Sequence, residues 1–347
     1  MQPKDFLLIG HITRDLAPNG EFIPGGPVTY AGIALAKRGH NVQILTKAAN
    51  NDPLLDFIRE NGIDIQNLSP EGDTHTTTYT NKYDTFQNRT QHVSDIAAPF
   101  RNDEIPFLTE LAKGKRTLVL PVANEIPHTV YKPLVNSAEM LIAAPQGSLR
   151  RWDSDGKVFH KPFSNEYINA LKHCHIATLS AEDMEGFDTE VKAHILHSTS
   201  DTVILTNGRD GAHMFQNNHV TDVPPFRLSY VEERDGYPTG NGDHMTAIIA
   251  EGAPSYLQKL TDPYQYEQDM FQAAARGAFF TALKIIKREG VTDGIGSLRD
   301  QREVNEWILR NPARLRDYAD MTNLEPSVFF EGQAYFQEGN QNRFHLR

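Results

Sequence analysis

The chain carries one cysteine, Cys174, in 347 residues. An internal disulfide is thereby excluded, and a reducing compartment, the cytoplasm, is expected. Cys174 stands between His173 and His175. Three consecutive residues do not readily face one ion and no second thiol exists, so a buried strand-edge thiol is expected rather than a metal ligand. Long apolar runs are also missing: nothing reaches the roughly 18 residues of a spanning helix. The apolar stretch Phe6-Leu7-Leu8-Ile9 is too short for a signal-peptide core and reads as a buried strand. Positive charge is scarce, with 34 Lys and Arg against 45 Asp and Glu and a net charge of −11. A nucleic-acid binder would carry a basic face. The basic clusters here, Lys113-Gly114-Lys115-Arg116, Arg150-Arg151 and Lys284 to Arg288, are short and read as solvated surface. Neither nucleic acid nor a membrane is an expected partner. Repeats, low-complexity segments and a dividing linker are absent too. Gly10 is not followed by a Gly-x-Gly-x-x-Gly loop, which argues against an NAD-binding first turn.

What is present is an ordinary globular composition, 39% hydrophobic and 23% charged. Strand and helix patterns alternate. Strands are expected at Phe6–Ile9, Val42–Leu45, Ile63–Ile65, Thr117–Leu120, Met140–Ala144, Ile176–Leu179 and Thr202–Leu205. Helices are expected from Pro27 to a stop at Gly39, over Asn51–Glu60 and over Tyr264–Lys287. This alternation predicts an α/β fold, a parallel sheet with helices on both faces. Several strand ends carry glycine or small polar residues, as they do where an open α/β sheet binds ligands. Thr74 to Val93 breaks the rhythm. It reads as a polar hairpin with little to bury on either face, better suited to a lid than to a core. After Asn311 the sequence turns aromatic (Phe329-Phe330, Tyr335-Phe336), as a segment that packs on the domain or on a partner would.

The chemistry concentrates in Pro238-Thr239-Gly240-Asn241-Gly242-Asp243, followed by the apolar run Met245 to Ala250. It reads as a glycine turn opening a helix. Backbone N–H groups at such a terminus, with the positive end of the helix dipole, suit a transferring phosphate. A carboxylate in the first turn can take a proton from an attacking hydroxyl. A plain helix N-terminus has the same composition, so this stretch alone leaves both readings open.

Two further glycine-bearing sites stand in order before it, Gly25-Gly26 and Thr206-Asn207-Gly208-Arg209-Asp210-Gly211. Together with Leu8 to Asp15, this order resembles the PfkB (ribokinase-like) family of small-molecule kinases, over roughly Asp5 to Leu298. The resemblance implies a three-layer α/β/α domain over 1–310, with a mainly parallel central sheet. A small β-lid, from Ile12–Pro24 and Thr74–Val93, would be inserted in it, and 311–347 would follow as an extension. It implies ATP-dependent phosphorylation of a sugar, polyol or nucleoside hydroxyl, with the protein a monomer or homodimer. Asp243 matches the catalytic base, with Gly240, Asn241 and Gly242 as the anion hole. Asp15, Gly25 and Gly26 match the acceptor site, to which Arg89, Asn124 and Gln146 add candidate contacts. Thr206, Gly208, Gly211 and Ser180 fall on the nucleotide side. Asp183 matches the carboxylate that organises magnesium, and a monovalent cation such as K+ is a further implied cofactor. The chain departs from the family pattern at Tyr237, Pro238, Asn241, Ser180, Asp183 and His244. Those departures keep a second reading in view, a degenerate kinase-like protein that binds nucleotide or sugar without turnover. Pro145-Gln146-Gly147, Leu149 to Asp153 and Gly156 resemble a subgroup that includes inositol kinases.

Overall fold

Asp5–Ile9 is apolar on both faces, as a central parallel strand must be. Phe6 and Leu8 enter one apolar cluster while Leu7 and Ile9 enter another. The computed structural model describes residues 2–16, 20–83, 89–236, 239–286, 298–329, 334–335 and 345–346. Its strands run β1 (Asp5–Ile9), β2 (Thr13–Leu16), β3 (Phe22–Gly25), β4 (Asn41–Thr46), β5 (Asp64–Asn67), β6 (Thr78–Tyr83), β7 (Arg89–Asp95) and β8 (Arg116–Val119). They continue with β9 (Met140–Ala143), β10 (Arg150–Trp152), β11 (Val158–His160), β12 (Ile176–Ser180), β13 (Thr202–Thr206), β14 (Ala212–Gln216) and β15 (His219–Val223). The central sheet has the order β15-β14-β13-β12-β9-β8-β1-β4-β5. From β5 to β13 every pairing is parallel. β14 folds back antiparallel on β13, and β15 on β14, the second reversal running through Asn217 and Asn218, both with positive φ, the conformation a two-residue hairpin turn requires.

Helices cover both faces. Pro27–Lys37, Asn241–Gly252 and Pro263–Ile285 pack on one, while Ile105–Leu111, Tyr131–Val135, Asn165–Leu171 and Thr189–Ser198 pack on the other. This is the three-layer arrangement that the alternation predicts. Boundaries moved where a cap decided them. The helix expected from Asn51 starts at Pro53, because the Asp52 carboxylate accepts the Leu54 N–H at 2.9 Å. Residue 287, the expected end of the long helix, lies outside the described residues, as does Glu289-Gly290.

A second sheet of four strands, β3-β2-β6-β7, stands apart from the central one. It is the expected lid, and the tip of its β6–β7 hairpin, 84–88, lies outside the described residues, as do 17–19 of the other segment. The hairpin is less polar than expected: Tyr79 and Val93 are buried against Val122 and Ala123, and the Tyr79 hydroxyl donates to the Val122 carbonyl at 2.8 Å. Below the lid, a buried polar network joins the chain segments that leave the central sheet. The Glu125 carboxylate accepts the N–H groups of His11, Val122 and Ala123. His11 bonds Thr77 Oγ1 and the Ala98 carbonyl through its two ring nitrogens.

The helices Gln301–Arg310 and Pro312–Thr322, with Phe329, bury Val304, Ile308, Leu315 and Tyr318 against Phe226, Phe279 and Phe280. The Tyr318 hydroxyl donates to the carbonyls of Pro224 and Ala275. Phe330, Phe336 and the Asn340 to Asn342 stretch lie outside the described residues.

Each of the three basic clusters expected as solvated surface instead contributes one buried residue: Arg116, Arg150 and Lys284 are 3%, 6% and 1% exposed. Burial of a cation requires partners, and here they are chiefly backbone carbonyls. Cys174 is buried just before β12, its thiol pushed up by burial. Its neighbour His175 accepts the Leu141 N–H on Nδ1.

Candidate active site

Asp15 is placed by β2, which pairs it with Ile23 on one side and Tyr79 on the other. Its carboxylate accepts from Thr13 Oγ1 at 3.1 Å and faces Asn81 Nδ2 at 3.4 Å. Asn81 in turn accepts from Gln91 at 2.8 Å, so a polar row crosses the lid strands. Gly25 lies directly against this carboxylate: a Cβ there would stand 2.6 Å from Asp15 Cγ. Gly26 has φ +91°, and its Cβ would meet the His11 carbonyl at 2.9 Å, so no L side chain fits. Pro27 then opens the helix. Thus Asp15, Gly25 and Gly26 lie together. Arg89 opens β7 opposite Tyr83, and its side chain lies outside the described residues.

Gln146 and Asn124 sit on the turns that follow β9 and β8. The Asn124 N–H donates to the Gly147 carbonyl at 3.0 Å and its φ is +56°, a left-handed turn conformation that Asn tolerates. Asn124 is exposed, so backbone geometry accounts for it as fully as a ligand contact does. Gln146 Oε1 lies 3.3 Å from Arg150, whose other guanidinium nitrogen donates to the Val122 carbonyl at 2.9 Å. Arg150 also lies over the Tyr79 ring.

Ser180 and Asp183 form a reciprocal turn at the end of β12. The Ser180 N–H donates to Asp183 Oδ2 at 2.7 Å and the Asp183 N–H to Ser180 Oγ at 3.2 Å. Asp183 is 4% exposed. Burial raises its pKa, opposed by the Ser180 hydrogen bonds and the charges of His160 and Arg150. Its second oxygen, Oδ1, is buried without a hydrogen-bond partner among the described residues. That orphaned oxygen fits a hydrated hard cation. Magnesium suits a single carboxylate because it keeps several waters, and no cluster of three or more ligating side chains exists among the described residues. Thr206, at the end of the adjacent β13, is in register with Ser180, and its carbonyl accepts the Ala181 N–H at 2.8 Å. Gly208 and Gly211 follow with φ +54° and +92°. A Cβ on Gly211 would stand 2.3 Å from the Val223 carbonyl.

The turn Gly240 to Asp243 touches an element of each group. Gly240 is left-handed, φ +76°, and a Cβ there would enter the Tyr30 ring at 2.4 Å. Tyr30 belongs to the helix that Gly26 caps, so the turn is seated on the acceptor-side element. Thr246 Oγ1 donates to the Gly242 carbonyl at 2.8 Å and meets Thr178 Oγ1 of β12 at 2.8 Å. That contact ties the same turn to the strand that ends at Ser180. Gly242 is exposed and a Cβ there would touch nothing within 4 Å. Asp243 is half-buried in the first helical turn, where the helix dipole favours a carboxylate. His244 is packed away: Nδ1 lies 3.0 Å from Thr281 Oγ1, and burial, with the Lys284 and Arg38 cations, pulls its pKa to about 3. Tyr237 and Pro238 lie outside the described residues.

Sequence reasoning passed over Tyr30, Asn81, Gln91, Arg150, Thr178, Thr246 and Lys284. Arg150 alone carried a signal, four residues after Gln146 in a subgroup-like stretch. The others are ordinary residues in ordinary elements, and only the packing brings Asn81 and Gln91 to Asp15 and Tyr30, Thr178, Thr246 and Lys284 to the turn and its helix.

No family model matches the chain, and no curated protein matches it in sequence. Solved structures do match its fold. A pyrophosphate-dependent kinase of the ribokinase family, complexed with a pyrophosphate analogue and myo-inositol, is 21% identical with a TM-score of 0.62, over 81% of this chain and 94% of that one. An uncharacterised sugar kinase from Pyrococcus horikoshii is 18% identical, TM-score 0.61, over 87% and 97%. Ribokinase from Giardia lamblia is 14% identical, TM-score 0.64, over 89% and 100%. The chain has the ribokinase-like fold.

Proposed function

We propose that this protein is a small-molecule kinase. In this reading it transfers a phosphoryl group from ATP to a hydroxyl of a sugar, polyol or nucleoside. The observation that carries it is the seat of the Gly240–Asp243 turn, packed on Tyr30 toward Asp15 and Gly25, and bonded through Thr246 and Thr178 toward Ser180 and Thr206. A phosphoryl group accepted from one side and passed to the other needs its base and its amide donors between the two.

Asp15 orients the acceptor by taking hydroxyl hydrogen bonds, with Gly25 leaving room beside it and Gln146 adding a further polar contact. Asp243 holds the proton lost by the attacking hydroxyl. The N–H groups of Gly240, Asn241 and Gly242 stabilise the charge growing on the transferred group. Thr206, Ser180 and the Gly208–Gly211 turn line the donor side. Asp183 would hold magnesium through water, and the ion supplies charge neutralisation on the donor phosphates. The lid and the buried Tyr79–Val93 patch exclude water above the acceptor.

The test is product formation across a panel of sugars, inositols and nucleosides with magnesium, using ATP and pyrophosphate as alternative donors. Turnover is expected on at least one acceptor. Asp243→Asn is expected to lower kcat by about 10²-fold or more while donor binding persists. Donor binding without turnover on any acceptor, together with an Asp243→Asn variant that behaves like wild type, would instead establish the binding-protein reading.

A further inference from the structure

Lys284 is 1% exposed and stands in the last turn of the helix Pro263–Ile285. Its ammonium donates to the Thr239 carbonyl at 2.6 Å and to Asn241 Oδ1 at 3.0 Å. It also lies 5.4 Å from the centroid of the Tyr30 ring. Thr239 and Asn241 flank Gly240, and Tyr30 is the ring on which Gly240 rests. The ammonium therefore grips the anion-hole turn from its buried side by the residues before and after its left-handed glycine. The same charge contributes to the depression of the neighbouring His244.

Among the described residues, a monovalent metal ion serving this turn from behind would meet the oxygens that Lys284 already uses. It would also add a like charge beside a buried cation, which is costly. Among the described residues, the donor set behind the turn thus does not fit an exchangeable ion such as K+.

We propose that the Lys284 ammonium is the resident monovalent cation of this site. As a positioning residue it holds Thr239, Gly240 and Asn241 in their anion-binding shape and makes an added monovalent ion unnecessary. The inference rests on the phosphotransfer reading for its role in turnover, but its structural content stands on the turn itself.

The test uses the full chain in buffers of equal ionic strength containing potassium, sodium, ammonium or choline chloride. Thermal midpoints and affinity for inorganic pyrophosphate, the probe for the anion hole, are measured alongside turnover. Wild type is expected to give the same midpoint and the same affinity in all four. Lys284→Met in choline is expected to lose about tenfold or more in pyrophosphate affinity, the scale of a lost charged hydrogen bond. Part of that loss should return in potassium or ammonium but not in choline. Lys284→Arg, which keeps the charge, should retain more affinity than Lys284→Met. A wild type that gains about tenfold in affinity or turnover from potassium over choline overturns the proposal, and so does a Lys284→Met variant indistinguishable from wild type. The wild-type comparison decides the matter even where Lys284→Met does not fold. Absence of turnover on every acceptor would count against the kinase reading alone, since midpoint and affinity still report on Lys284.

Discussion

Gly242 is the residue at which stability and function pull apart. Nothing among the described residues occupies the space where its Cβ would stand, so they do not require glycine there. Alanine in a helix is favoured over glycine by roughly 0.5–1 kcal/mol, less in the first turn. Gly242→Ala is therefore expected to raise the denaturant midpoint slightly while lowering turnover by about tenfold or more, because in the proposed reaction the added methyl would crowd the transferred group at the anion hole. Equal turnover in the two proteins would mean that no ligand approaches this face. Gly240 presents the opposite case. Its φ of +76° and its contact with Tyr30 make Gly240→Ala destabilising by more than about 1 kcal/mol through the backbone alone. Adding Tyr30→Ala relieves the ring contact but not the backbone strain. The double variant is thus expected to be less destabilised than the sum of the singles, and strict additivity in denaturant melts would show that the ring does not press on the turn.

At the scale of elements, the helix Asn241–Gly252 is fixed at both ends by side chains from elsewhere. Lys284 holds its start, and Arg116 donates to the carbonyls of Ala250 and Ala253 at 2.6 and 2.8 Å at its end. Neither residue announced this role in the sequence. Both sit in short basic clusters whose composition suits a solvated face, and only burial distinguishes them from Lys113 or Lys115. The central strands were legible for the opposite reason: buried on both faces, they are nearly continuous apolar runs. Gly26, Gly208, Gly211 and Gly240 were legible as well, because their positive φ values leave few alternatives to glycine. The β14–β15 hairpin was not, although Asn217-Asn218 is a recognisable turn, because its strands mix His, Gln and Thr with apolar residues. The β10–β11 hairpin is three residues per strand, too short for any periodicity. On the lid, the polar strands concealed Tyr79 and Val93, whose burial depends on Val122 and Ala123 from a distant loop.

For the molecule as a whole, buried charge sets the response to acid. His244 is held at about 3, against an ordinary value of 6.5, by burial and then by Lys284 and Arg38. The unfolded chain therefore takes up a proton that the folded one refuses, and stability falls as pH drops below about 6.5 toward 3. Burial likewise lowers His11 and His175, which act in the same sense. Burial pushes Glu251 up, but His40, Arg38 and Arg276 more than reverse this and bring it to about 2, below its ordinary 4.5. Its contribution is present above about 4.5 and disappears as pH falls toward 2. Melting temperature is accordingly expected to decline below pH 6.5 and to decline further below pH 4.5. His244→Gln, which cannot charge, should give a shallower slope between pH 6.5 and 4.5, and identical slopes would remove His244 from the account. The two carboxylates assigned to the proposed reaction ride on different bodies, Asp15 on the four-stranded sheet and Asp243 on a helix bolted to the nine-stranded one. Under the proposed reaction, choice of acceptor and activation of its hydroxyl would fall to two different bodies that meet where Gly240 rests on Tyr30, so changes to the lid strands distant from that contact would be expected to alter which alcohol is accepted before they alter transfer itself.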